Sequence, residues 1–149
     1  MDVTFAPDGT ALAVWAQDDE GSSRIWFNRY TPQNRWGTAA IIRPELSAQL
    51  DEYAPQLAFD STGKALMVFH VTELLDATDP DELPRSHFSA WAMRYTAGGG
   101  WTGLSPIASS EIRDAHSPEV AFHANDNGYA VWHEAEFGAG PTLWWKRFE

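Results

Sequence analysis

The stretch "IWFNRY" (25–30) returns as "AWAMRY" (90–95) and again as "LWWKRF" (143–148). Each writes Trp-x-x-Arg-aromatic. Working upstream, each follows a second common segment: "ALAVW" (11–15), "ALMVF" (65–69) and "GYAVW" (128–132). Further upstream lies a third: "VTFAPDG" (3–9), "LAFDSTG" (57–63) and "VAFHAND" (120–126). Downstream of the first two copies comes a fourth, "RWGTAAII" (35–42) and "GWTGLSPI" (100–107). Similarity at a fixed spacing is the mark of a repeat, and it outranks every other reading of the chain. One unit therefore comprises four short segments, A to D, over about 53 residues. The second copy carries an insertion of about ten residues within "ELLDATDPDELPRSH" (73–87).

Each segment reads as a strand. Val3 and Phe5 alternate with small or polar residues, as do their counterparts, which is the period of a pleated strand. The segments are short and rich in Val, Ile, Phe, Trp and Tyr. Tight-turn sequences separate A from B ("PDGT", "STGK", "NDNG") and C from D ("TPQNR", "TAGGG"). Pro55 and Pro118 are expected to open segment A, where a missing N–H is tolerated. Only "SAQLDEY" (47–53) and the 73–87 insertion leave room for a turn of helix.

The expected fold class is all-β and β-propeller-type: four-stranded antiparallel blades, repeated. The chain resembles bacterial repeat proteins built from blades of the form P-x-V-A-F-D-x-x-G-x-A-x-A-V-W, then W-x-x-R-Y, then G-W. Pro55, Leu57, Phe59, Asp60, Gly63, Ala65 and Phe69 carry the match in the second copy. Pro118, Val120, Phe122, Val131 and Trp132 carry it in the third. The blades are expected at about 1–46, 53–110 and 117–149 within one repeat domain, the third lacking its last strand. No Trp-Asp pair closes segment C as in WD40 repeats, and no sialidase-type Asp box is present. Three blades are fewer than the roughly four to eight that close a ring. The expected completion is self-association, a dimer giving six blades, or the remainder of a longer propeller. The resemblance also implies a periplasmic or secreted setting, although residues 1–20 lack the basic start and apolar stretch of a signal peptide.

Composition excludes several classes. The chain has 149 residues, 44% hydrophobic and 21% charged, with eight Trp and no Cys. Disulfides, thiolate metal sites and cysteine nucleophiles are therefore excluded. A formal net charge of −11 argues against nucleic acid and anionic membrane surfaces as partners. No apolar run approaches the roughly 20 residues of a membrane-spanning helix, so no membrane insertion is expected.

In a propeller, the B–C and D–A loops emerge on one rim. Fifteen of the 21 acidic residues fall in those loops. The candidate ligand-binding residues are Asp18, Asp19, Glu20, Asp76, Asp79, Asp81, Glu82, Glu134 and Glu136 from B–C, with His116 from D–A. Such a rim suits cations, basic peptides, or small molecules and glycans whose hydroxyls donate to carboxylates. The competing reading is a solvated rim that keeps a Trp-rich protein soluble. The repeated Arg29, Arg94 and Arg147 read as packing groups that stack on aromatics or pair with a carboxylate of the next blade. His70 and His133 hold equivalent positions and read as structural.

"DATDPDE" is acidic but lacks the Gly turn and closing Glu of an EF-hand loop, so no cofactor is expected, with calcium as the one alternative. No nucleophile elbow, phosphate loop or His-Glu-x-x-His motif occurs. The expected function is a non-catalytic binding or assembly scaffold with ligand, including carbohydrate, recognition on the acidic rim. The alternatives are a glycoside-acting enzyme or fragment using paired rim carboxylates, and a purely structural self-assembling propeller fragment.

Overall fold

A computed structural model of the chain describes residues 1–42, 50–75, 85–108, 113–135 and 140–149. Every regular element among them is a strand. The first sheet comprises β1 (Asp2–Phe5), β2 (Ala11–Asp19), β3 (Ser22–Thr31), β4 (Arg35–Trp36) and β5 (Ala40–Ile41). The second comprises β6 (Leu50–Phe59), β7 (Ala65–Leu75), β8 (Arg85–Thr96) and β9 (Gly100–Pro106). The third comprises β10 (Asp114–Phe122), β11 (Gly128–Ala135) and β12 (Thr142–Phe148). Neighbours pair antiparallel in chain order except β5, which pairs with β3, and among the described residues no sheet closes on itself.

The register repeats from sheet to sheet. Trp15 pairs with Trp26, Phe69 with Trp91, and Trp132 with Trp144. Val3 pairs with Ala13, Leu57 with Met67, and Val120 with Ala130. The A–B turns share a hydrogen-bond pattern as well. Ala6 N–H donates to Thr10 O, Asp60 N–H to Lys64 O, and His123 N–H to Asn127 O. Each turn needs one residue at positive φ, supplied by Gly9, Gly63 and Asp126.

Four local expectations change. Pro55 and Pro118 do not open their strands; they lie inside β6 and β10 at a bulge. Ala54 and Ser117, just before them, both sit at positive φ, with values of 48° and 50°. The missing proline N–H is thus absorbed by a bulge, while both rings are fully buried. Leu50–Tyr53, where the sequence leaves room for a turn of helix, continue β6 because the ladder Leu50↔Glu73 to Tyr53↔His70 resumes beyond the bulge. The last strand of the first copy is split. β4 and β5 both pair with β3, leaving residues 37–39 outside the ladder. The insertion at 73–87 lengthens the β7–β8 hairpin arms to Leu75 and Arg85, and residues 76–84 lie outside the described residues.

Alternation gives each sheet two faces. The front carries the Trp of segment C; the back carries the Arg. The front of the second sheet packs on the back of the first, uniting Leu57, Met67 and Phe69 with Leu12, Val14 and Ile25. Across this joint Phe27 meets Trp101 edge to face at 5.8 Å. The front of the third sheet packs on the back of the second in the same sense. Ala130 and Trp132 lie there against Leu66, Val68, Ala90 and Ala92. A Cβ on Gly128 would stand 3.1 Å from Leu66 and 3.0 Å from Phe122, so this joint uses glycine for close approach. The middle sheet is covered on both faces, and each large side chain closed there contributes about 1.5–3 kcal/mol.

Carboxylates clamp both joints at corresponding places. Asp51 accepts the Ser23 N–H at 2.6 Å, and Asp114 accepts the Phe88 N–H at 3.0 Å. At the first joint Glu52, 1% exposed, also accepts the Ile25 N–H at 2.9 Å. Asp2 accepts the Leu57 N–H there. At the second joint Arg94 lies over the Phe148 ring and donates to Glu149 O. Arg94 thus packs on an aromatic ring of the next sheet.

Candidate functional site

The rim bearing the β2–β3 and β7–β8 connections begins with a tight hairpin. Asp19 pairs with Ser22, and the two residues between, Glu20 and Gly21, both take positive φ. This is the backbone twist of a two-residue hairpin turn, and it holds Asp18 and Glu20 out in solvent. Asp19 is half-buried. Asp76, Asp79, Asp81, Glu82 and Glu136 lie outside the described residues.

Several rim carboxylates have structural work. Glu134 is buried; its Oε1 accepts the Trp132 indole N–H at 2.9 Å, and its Oε2 lies 3.9 Å from Arg113. Gln17 serves Trp15 in the same i+2 relation, at 3.1 Å. Asp51, Glu52 and Asp114 are the inter-sheet clamps already described.

What the fold assembles on this rim is a row of rings. Tyr53 lies 5.6 Å from His70, His70 lies 6.3 Å from Phe88, and Phe88 lies 4.7 Å from His116. The row crosses from the second sheet to the third. At its other end the negative charges of Asp51 and Asp18 act on Tyr53, bringing in the hairpin of the first sheet. Partial burial first, and these two carboxylates second, hold the Tyr53 hydroxyl above its usual pKa of 10.0. Burial, reinforced by the nearby His116, pushes His70 below 6.5 and favours its neutral ring. Tyr53 is 38% exposed. Beside the row, His70 Nδ1 and Thr72 Oγ1 are buried and have no hydrogen-bond partner among the described residues.

Of the candidates named from sequence, the structure brings Asp18 and His116 to opposite ends of this row. It places Asp19 and Glu20 on the adjoining hairpin and Glu134 inside the second joint. Tyr53, His70 and Phe88 were missed as rim residues. Tyr53 carried one usable signal, since it stands at the position of His116, one residue before the buried bulge. Among the described residues no three His, Asp or Glu side chains converge as metal ligands would. No protein-family model matches the chain, and no curated protein matches it.

Proposed function

We propose that this chain is a propeller-type, non-catalytic scaffold of the bacterial repeat class it resembles, and that its rim recognises a ligand along the Tyr53–His116 row. Carbohydrate is the favoured ligand class. The propeller-type reading is supported by sheets stacked front to back in one repeated register. The ligand reading rests on one observation: a partly exposed tyrosine, flanked by Asp18 and Asp51, leads into a row of aromatic and imidazole rings.

The chemistry suits a sugar. Ring faces take the apolar C–H surface, while carboxylates accept hydroxyl protons. The unpaired His70 Nδ1 and Thr72 Oγ1 supply further polar groups once a ligand or water enters. No cofactor is part of this reading; calcium is its one alternative.

A glycan array, run with and without calcium, tests this reading. The wild-type chain is expected to bind a defined glycan set. Tyr53→Ala is expected to weaken that binding about tenfold or more while leaving the fold intact. No glycan bound by the wild type in either condition overturns it.

A further inference from the structure

The two internal joints obey one rule: a front face sits on a back face. The two outer faces are one of each. The first sheet leaves its front open, with Phe5 66% and Trp36 48% exposed. A cavity of about 240 Å³ lined by Met1, Asp2, Val3, Ala13, Val14 and Trp15 opens on that side. The third sheet leaves its back open, with Leu143 and Trp145 63% and 65% exposed. These are not arbitrary apolar patches. Trp36 holds the position that Trp101 holds in the second sheet. Trp145 holds the position that Phe27 holds in the first. Phe27 and Trp101 are the ring pair that closes the first joint.

We infer that the open front of one copy takes the open back of a second copy of this chain. Trp36 then meets Trp145 as Trp101 meets Phe27. Arg147, the counterpart of Arg94, then lies over Tyr30, the counterpart of Phe148. Because front and back lie at opposite ends of the stack, the contact is head to tail. A second, identical contact closes two copies into a six-sheet ring with twofold symmetry. This closure rests on the propeller-type reading; the pairing of faces rests on the internal joints alone.

The association is apolar and works against charge. Each copy carries −11, so the two copies repel at long range. Added salt screens that repulsion and is expected to tighten the dimer.

The test uses two blocking variants, Trp36→Glu on the front and Trp145→Glu on the back, read by sedimentation velocity. Each alone spoils both contacts of a ring. Each is expected to be monomeric, about 100-fold or more weaker than wild type. Mixed in equal amounts, they retain one unmodified front and one unmodified back, and dimers are expected to return. Phe5→Glu and Leu143→Glu form a second pair at equally exposed sites, in case either Trp variant fails to fold. A wild-type monomer overturns the inference. So does a front-blocked or back-blocked variant that dimerises by itself, which signals face-to-like-face contact. Open polymers in place of dimers leave the face pairing standing but overturn the six-sheet closure, and with it the propeller-type reading.

Discussion

Leu66, Val68, Ala90 and Ala92 on the back of the second sheet correspond in register to Tyr129, Val131, Leu143 and Trp145 on the back of the third. The first four are closed off by the next sheet. The second four stand in solvent. Both sets are apolar throughout, so chemistry does not distinguish a covered face from an open one; position in the stack does. Size does differ. The covered set uses two alanines on β8, which let Trp132 and the glycine at 128 approach. The open set carries Leu and Trp at the same places.

Truncating one Trp on each kind of face tests this difference. Trp132 is 4% exposed inside the second joint. Trp132→Ala is expected to cost about 3–5 kcal/mol in urea unfolding, as large cavities do. Trp145→Ala is expected to change the folding stability of the isolated monomer by no more than about 0.5 kcal/mol. Equal losses at the two sites would mean that both faces are covered within one chain.

Next in size is the clamp at the first joint. Glu52→Ala deprives the buried Ile25 N–H of its acceptor. Leaving that donor unsatisfied is expected to cost about 1–3 kcal/mol. The corresponding place in the second joint is Ala115, also fully buried, so Ala115→Gly there is expected to cost about 1 kcal/mol or less. A Glu52→Ala loss no larger than that would remove the carboxylate from the account of how sheets are joined.

The smallest effect concerns pH. The folded protein holds His70 below its free value of 6.5, so the unfolded chain takes up the proton first as pH falls. The contribution of His70 to stability is complete above pH 6.5, falls below it, and levels off beneath the folded-state value. Melting temperatures of wild type and His70→Gln are therefore expected to diverge in slope below pH 6.5, with the wild type losing more. Parallel slopes would show that His70 is solvated alike in both states.

Much of the fold was legible because the chain states it three times. The order of short strands and the tight A–B turns follow from aligning the copies. Prolines 55 and 118 misled because a proline at a strand start and one at a bulge look alike in sequence; only the positive φ of Ala54 and Ser117 tells them apart. The window 47–53 leaves room for a turn of helix because seven residues are too few to settle a period; its described part, Leu50–Tyr53, is strand. The rim was less legible. Counting acidic residues picks out one edge of the sheets, but only burial separates a clamp such as Glu52 from a solvent-facing group such as Glu20. The ring row was invisible because Tyr53, Phe88 and His116 come from three different strands.

The pairing inferred for the faces open at the ends of the chain follows the rule of its internal joints. Sedimentation equilibrium of the unmodified chain at micromolar concentration, in low and high salt, tests it most directly. A species of twice 16.6 kDa is expected, with a dissociation constant that falls as salt rises. A single 16.6 kDa species at every salt concentration would contradict it.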